Sequence, residues 1–328
     1  MSASRPWPAP AKVNLGLRVV GTRPDGYHLL ESCFVPLDLA DRLWIEAEPA
    51  STTSVSLEVA GVAAGVPGGD ENLVVRAARA FLDAAGRPAR VAIRLEKAIP
   101  VGAGLGGGSS DAATVLRALD AAFANAIAGD RLAAIALRLG ADVPFFLDPR
   151  PAWVTGIGEH VEAIAPFPAL DLLLVTPAPP LATAEVFRAH DAALTPGSHD
   201  RRMPPLRGIP GRTLVAALAS KEADHAGIAA GSPPQGLAEL LANDLEPVAA
   251  RLCPGILRVR RELERLGARV VAMSGSGPTM FGLFDGSEET TTAGAQGRFE
   301  ATDRVLAVRT LGAPLDLGNR AGASWGVV

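Results

Sequence analysis

The chain has 328 residues, 48% of them hydrophobic and 20% charged, and a net charge of −4 at neutral pH. This is the balance of a globular protein with a sizeable core in one large or two ordinary domains, and it excludes a disordered chain. The charge leaves no basic footprint for nucleic acid. No apolar run approaches the ~18 residues of a membrane span, and the opening MSASRPWPAPAK lacks the apolar stretch of a secretory signal, so a cytoplasmic protein is expected.

Residues 13–20 alternate apolar and polar and predict a strand, as do 43–48 and 55–59. Leu73, Ala77, Ala78, Phe81, Leu82 and Ala85 recur at helical spacing, and Gly86 and Pro88 close that helix. Val91, Ile93 and Leu95 give another strand, ending at Lys97 and Pro100. A glycine-dense run follows, then a helix with Ala112, Val115, Leu116, Leu119 and Phe123 on one face, then a helix over about 130–139 that stops at Gly140. Phe145-Phe146-Leu147 reads as the start of a buried strand.

An apolar strand at 170–175 opens a second half, and the domain boundary is placed near residue 160. The stretch 195–236, rich in Pro, Gly and Ser, reads as a long excursion or surface loop. Helical patterns at 244–252 and 256–266, the second ended by Gly267, lead to strands at 269–273 and 279–284 joined by SGSGP. A weak helix near 288–300 and a strand at 304–309 follow, and the tail from Ala313 has no clear period. Strands then helices, followed by an α-β-β-α-β ending, indicate an α+β protein rather than a doubly wound sheet.

The most informative segment is Pro100-Val-Gly-Ala-Gly-Leu-Gly-Gly-Gly-Ser-Ser-Asp111, between a strand and an amphipathic helix. Five glycines in the seven residues 102–108 carry an entropic cost that a merely structural turn gives no reason to bear. They let backbone N–H groups approach an anion, and the next helix adds unpaired N–H groups and a positive dipole end. Ser109 and Ser110 supply hydroxyls, and either suits a helix cap. The loop is neither a Walker A sequence nor a dinucleotide fingerprint. Asp111 complements the helix dipole, or alternatively serves a magnesium ion or acts as a base.

The chain contains 28 Arg but three Lys, at 12, 97 and 221, a bias that hints at a need for compact point charges where Lys is kept. Cys33 and Cys253 match no metal spacing and read as reduced thiols. From the bare sequence, Asp142 reads as a residue that stabilises the turn before Pro144 ahead of a catalytic carboxylate, and Lys12 reads as a solvated strand-edge lysine, a reading that the scarcity of Lys weakens. Lys97 either faces a nucleotide or edges a strand. From the bare sequence Tyr27, His28 and Phe187 read as an ordinary turn residue, a surface imidazole and a core residue on a helix.

Three segments together resemble the GHMP kinases, the superfamily of galactokinase and of homoserine, mevalonate and phosphomevalonate kinases: Pro10-Ala-Lys-Val-Asn-Leu15, the glycine-rich run, and Ser274-Gly-Ser-Gly-Pro-Thr279. Arg23-Pro-Asp-Gly-Tyr-His28, Leu139-Gly-Ala-Asp-Val-Pro144 and Asn243-Asp-Leu-Glu-Pro247 resemble the branch acting on a cytidyl-diphosphate-linked sugar alcohol in the non-mevalonate isoprenoid route. These points span about residues 8–285; the 195–236 segment and the tail after 312 fit less well.

The resemblance implies a two-domain α+β GHMP kinase fold. A ribosomal protein S5 domain 2-like ATP-binding domain covers 1–160, and a ferredoxin-like substrate-binding domain covers 161–328. It implies ATP as co-substrate with Mg2+, a small-molecule cytidyl-diphosphate sugar-alcohol acceptor, no nucleic-acid or membrane partner, and a monomer or homodimer. Lys12 and Asp142 are then catalytic. ATP lies against Pro100, Val101, Gly102, Ala103, Gly104, Leu105, Gly106, Gly107, Gly108, Ser109 and Ser110, with Glu71 and Asn72 near the adenine. Asn14, Tyr27, His28 and Phe187 bind the acceptor, with Tyr27 and Phe187 on the two faces of the base and His28 at its edge. The alternatives are a homoserine- or mevalonate-type kinase and a non-catalytic nucleotide-binding protein.

Overall fold

A computed structural model describes residues 5–62, 65–193, 211–219 and 236–312. Most of the 195–236 segment and the tail from Ala313 lie outside the described residues. Two long strands, β1 (Trp7–Thr22) and β2 (His28–Pro49), pair antiparallel and form the spine. Their turn closes where the Arg23 amide donates to the Tyr27 carbonyl at 2.7 Å, with Gly26 supplying the left-handed residue at φ 88°.

On its other edge β2 pairs with β4 (Ala89–Lys97) through 42–49 and with β5 (Ala152–Gly156) through 30–34. β3 (Ser54–Gly61) lies parallel to β4, and β6 (His160–Ala163) pairs with β5, completing a six-stranded sheet. The helices α1 (Leu73–Ala85), α2 (Gly107–Ala122), α3 (Gly129–Leu139) and the short α4 (Val143–Leu147) bury Phe81, Leu116, Ile135 and Phe145 with this sheet.

The second sheet contains β7 (Asp171–Thr176), β8 (Val270–Met273), β9 (Met280–Phe284) and β10 (Arg304–Arg309), in the antiparallel order β10-β7-β9-β8. Taken in chain order this is the 4-1-3-2 arrangement of a ferredoxin-like βαββαβ unit. Between β7 and β8 the chain forms α5 (Thr183–Ala193), α6 (Gly211–Ala219), α7 (Leu237–Leu240), α8 (Glu246–Leu252) and α9 (Gly255–Arg265), and α10 (Ser287–Gln296) follows β9. The α+β class and the two-part architecture agree with the sequence reading.

Three local expectations are corrected. Phe145-Phe146-Leu147 belongs to α4, not a strand: Pro144 occupies the first helical turn, where its missing N–H is harmless, and both phenylalanines are buried by helical packing. The last helix stops at Gln296 rather than near 300, with Gly297 extended beyond it. The β5–β6 hairpin was not anticipated, because Gly156 and Gly158 break its short alternation and β6 is exposed throughout. Residue 160, the expected boundary, lies within β6.

β1 determines how the two halves meet. Its alternation predicts one wet face, yet Ala9 through Val19 are all buried. The strand feeds three cores in succession: Trp7 and Ala9 the first, Ala11, Val13 and Leu15 the second, Leu17 and Val19 the third. Its pairing with β2 is broken by register shifts at Pro10/Lys12, Leu15/Leu17 and Val19/Gly21. Such bulges free backbone groups and re-aim side chains. At the first, the Lys12 amide donates to the Leu105 carbonyl at 3.0 Å; at the second, the Leu17 amide donates to the Ala242 carbonyl at 3.1 Å.

That second contact is stabilised by Asn243. Its Nδ2 donates to the Met273 and Gly275 carbonyls at 2.9 and 2.8 Å, and its Oδ1 accepts from the Leu245 amide at 2.9 Å. Asn243→Ala leaves three buried backbone groups without this partner and should cost about 3 kcal/mol. Urea unfolding with an unchanged slope checks this; a loss below about 0.5 kcal/mol would show that water replaces the amide at no cost.

Candidate active site

After β4 the chain turns through a loop whose backbone only glycine tolerates at key points. Gly102, Gly104 and Gly106 have φ of 64°, 73° and 73°. A Cβ on Gly104 would collide with the Ser274 carbonyl, and one on Gly106 would come within 2.8 Å of the Phe146 ring. The Ser274 hydroxyl donates to the Gly104 carbonyl at 3.1 Å, so the SGSGP segment closes directly over the loop.

Gly106 is the N-cap of α2 and makes no side-chain cap bond. The helix therefore starts at Gly107, before both serines, and neither caps it. The Ser110 amide already donates to the Gly106 carbonyl at 2.9 Å, whereas the earlier N–H groups of a first helical turn have no acceptor of their own. These N–H groups and the dipole end make an anion cradle with no bulky side chain in the way.

Lys12 projects from the first bulge of β1. It is 2% exposed; its Nζ hydrogen-bonds Asn14 Oδ1, lies 4.5 Å above the Phe34 ring and stands 3.4 Å from Asp142 Oδ2. Asn14 is held on three sides: besides accepting from Lys12, its Nδ2 donates to Ser32 Oγ at 2.8 Å and its amide to Ser274 Oγ at 3.2 Å. Asp142 occupies the N-cap of α4, a place where aspartate ordinarily accepts from the helix, but its side chain makes no cap bond and is 31% exposed. Its carboxylate is aimed at the ammonium and the open space instead.

That space is a cavity of about 390 Å³ lined by loop residues 100–109 together with Lys12, Asn14, Asp142 and Phe187. Most of the sequence-selected residues thus share one chamber. Ser110 does not line it; its hydroxyl is sealed beneath α2. Tyr27 and His28 do not line it either. Tyr27 sits on the exposed β1–β2 turn with 58% of its surface open. His28 stacks directly on Phe187, with ring centroids 4.6 Å apart, and its Nε2 is 2.7 Å from Asp191 Oδ1. Glu71 and Asn72 line the far end, but the Asn72 side chain caps α1 at the Val74 amide and donates to the Pro67 carbonyl.

Lys97 also reaches the cavity, from behind the loop. Its Nζ is 2.7 Å from Asp111 Oδ2 and bonds Asp41 Oδ2, and all three residues are buried. Asp41 Oδ1 accepts from the Ala98 and Ile99 amides at 2.5 and 2.9 Å. Asp111 is the fifth residue of α2, past the first turn, so it pairs with a lysine rather than complementing the dipole. Burial pushes its carboxyl up, opposed by Lys97 and reinforced by Asp41, to about 8. Asp41 was missed in the sequence; an aspartate within an apolar strand was the available signal. Thr183 Oγ1 and Ser276 Oγ stand 2.9 Å apart on the cavity wall; Ser276 lies in the SGSGP segment singled out in the sequence, whereas Thr183 was missed, and an isolated hydroxyl carries no sequence signal.

Comparison with known proteins gives a consistent result. The models for the GHMP kinases N terminal domain and the GHMP kinases C terminal match residues 72–148 and 226–296. The chain is 41% identical over 303 residues to the 4-diphosphocytidyl-2-C-methyl-D-erythritol kinase of Pelotomaculum thermopropionicum, covering 92% of this chain and 96% of that one. A crystal structure of 4-(cytidine 5'-diphospho)-2C-methyl-D-erythritol kinase superimposes with a TM-score of 0.73 at 40% identity over 93% of this chain and 99% of that one. Homoserine kinase from Cytophaga hutchinsonii shares the fold, with a TM-score of 0.59 at 16% identity over 95% and 96% of the two chains.

Because Gly104 lies against the Ser274 backbone, Gly104→Ala should separate the two segments. We expect at least about tenfold weaker ADP binding from the strain and the lost contact, with the fold retained by circular dichroism. Calorimetric titration of ADP measures it, and wild-type affinity would show that the close approach is dispensable.

Proposed function

The chain belongs to the 4-diphosphocytidyl-2-C-methyl-D-erythritol kinase family of GHMP kinases, and from that premise we propose that it transfers the γ-phosphoryl group of ATP to the 2-hydroxyl of this cytidyl sugar alcohol, with Lys12 and Asp142 acting on that hydroxyl. The observation that carries the reading is the approach of the Lys12 ammonium and the Asp142 carboxylate to 3.4 Å at the wall of a glycine-lined cavity.

Phosphoryl transfer needs an aligned acceptor and neutralised charge more than covalent assistance. In the proposed step Asp142 accepts the hydroxyl proton, and the Lys12 ammonium favours the negative charge developing on that oxygen. The oxygen forms a bond to the γ-phosphorus as the bond to the β-bridging oxygen breaks, and ADP leaves. Asn14 keeps the lysine aimed through the bond to its Nζ. Residues 100–109 supply the phosphate cradle. Mg2+ would accompany ATP as part of the co-substrate and would neutralise phosphate charge beside the cradle of residues 100–109.

We place ATP in the part spanning 1–160 and the acceptor between the two parts, with Phe187 from 161–328 on one side and Tyr27 and His28 from 1–160 on the other. The stacked His28–Phe187 pair marks a flat aromatic platform beside the cavity. A cytosine gains about 1–3 kcal/mol from such stacking. For the base to lie on Phe187 the His28 ring must leave that face, and we assign the edge of His28 and the ring of Tyr27 to the edge and second face of the base. A homoserine- or mevalonate-type acceptor offers no base to such a platform. Among the described residues no helix is long and apolar enough to cross a membrane, and we propose a cytoplasmic enzyme acting as a monomer or homodimer.

Lys12→Ala and Asp142→Asn should each lower kcat by at least about 10²-fold with the fold intact. A coupled ADP-release assay on the cytidyl substrate measures this, and near wild-type turnover in either variant removes that residue from the mechanism. Tyr27→Ala should raise KM for the cytidyl substrate about tenfold or more while leaving KM for ATP nearly unchanged. An unchanged acceptor KM separates Tyr27 from the base site.

A further inference from the structure

The cluster behind the glycine-rich loop is unbalanced. Two buried carboxylates, Asp41 and Asp111, share one buried ammonium, Lys97. With both carboxylates ionised it holds one net negative charge. Lys97 Nζ lies 3.3 Å from where a Cβ on Gly107 would stand, directly under the first turn of α2. Lys97, Gly107 and Asp111 all line the cavity. A sealed negative charge beneath a cradle for anions repels what the cradle is built to hold.

The two carboxylates are not equivalent. Asp41 uses both oxygens, on Lys97 and on the Ala98 and Ile99 amides. Asp111 gives only Oδ2 to Lys97, and its Oδ1 is buried without a hydrogen-bond partner among the described residues. A buried carboxylate oxygen with no donor is the natural seat for a proton.

We propose that Asp41 and Asp111 are positioning residues that fix the Lys97 ammonium under the phosphate cradle, and that nucleotide binds when Asp111 carries a proton, so that binding is linked to proton uptake at this cluster. The inference rests on reading the glycine-rich loop as the phosphate site. The charged groups acting on Asp111 among the described residues are Lys97 from β4 and Asp41 from β2. Lys12, on β1, is engaged by Asn14 and Asp142 instead. The Asp111 carboxyl, raised chiefly by burial to about 8, titrates where the linkage is measurable.

The sign follows from the charge. Near pH 7 the cluster is already largely neutral, so ADP binds with little proton uptake. Above pH 8 the free protein loses the proton and must regain it on binding. ADP affinity therefore falls with rising pH, by about tenfold for each pH unit by which bound phosphate raises the Asp111 midpoint. The second ionisation of the nucleotide's terminal phosphate, near pH 6, is largely complete in this window.

The test is calorimetric titration of the full chain with ADP at pH 7, 8.5 and 9.5, in buffer pairs of different protonation enthalpy. Expected for the wild type are a substantial fraction of a proton taken up per ADP at pH 8.5 and a Kd about tenfold higher at pH 9.5 than at pH 7. Asp111→Asn, which keeps shape but fixes the cluster as neutral, should bind ADP with no uptake and a flat profile. A wild type without uptake and with a flat profile overturns the proposal, as does an Asn variant that keeps the wild-type pH dependence. If Asp111→Asn does not fold, the wild-type buffer comparison still decides, since absent uptake overturns the linkage. ADP that binds at no pH overturns the phosphate-loop reading itself and the inference with it, an outcome distinct from pH-independent binding.

Discussion

At Lys12 the amide of β1 leaves its partner strand and donates to the Leu105 carbonyl of the glycine-rich loop at 3.0 Å. The geometry of the cavity depends on this contact. The register shifts between Pro10 and Lys12 and is regular again from Lys12 to Asn14, so Lys12 and Asn14 both stay on the strand face that meets the loop, and the bulge turns the ammonium toward Asp142. One residue of register slip would send that face into the core and the apolar residues into the cavity. The bulge is held from the other side by Asn14, whose amide reaches Ser274, and Ser274 in turn reaches Gly104. A strand from the beginning of the chain, a loop from its first third and a turn near its end thus form a closed ring of hydrogen bonds.

Long periodic elements were legible in the sequence because burial imposes their period. Leu73–Ala85 and Ala89–Lys97 appear where the 3.6- and two-residue patterns predict, ended by a left-handed Gly86 and by the loop. α4 was not legible, because five apolar residues are too few to show a period and Pro144 alone carried the signal. β5 and β6 were hidden by glycines and by an exposed edge that needs no hydrophobic pattern. Of the site, the resemblance pointed to Lys12, Asn14, Asp142 and the loop, and the structure brings these together. The pairings of Asp41 with Lys97 and of Thr183 with Ser276 were not recoverable, because the partners lie 56 and 93 residues apart in the chain and a contact at that separation leaves no periodic trace.

The site also shows where ordinary local chemistry has been set aside. Asp142 stands at a helix N-cap without capping, and Gly106 caps α2 without a side chain. Either helix would gain about 1 kcal/mol from a side-chain cap in ordinary use. At Gly106 a side chain would strike Phe146 and stand beside Lys12, closing the floor of the cavity. At Asp142 a capping carboxylate would be turned away from the ammonium it now faces. Local departures of this kind mark places where the fold forgoes stability for a task.

The two lysines of the site show why so arginine-rich a chain keeps them. Lys12 threads between Phe34 and Asn14 to present one charge to Asp142, and Lys97 threads under Gly107 to meet two carboxylates. A guanidinium is planar and needs a fork of acceptors in its plane, whereas an ammonium directs three donors from a single atom. Neither seat offers a planar slot: Lys97 Nζ has Asp41 on one side, Asp111 on another and the Gly107 backbone above. The surroundings then divide the two roles. Lys12 faces a carboxylate that is partly open to the cavity, so its charge is available to whatever enters there. Lys97 is enclosed by two buried carboxyl groups, so it stabilises the loop's foundation, and its influence on the cavity depends on whether Asp111 holds a proton.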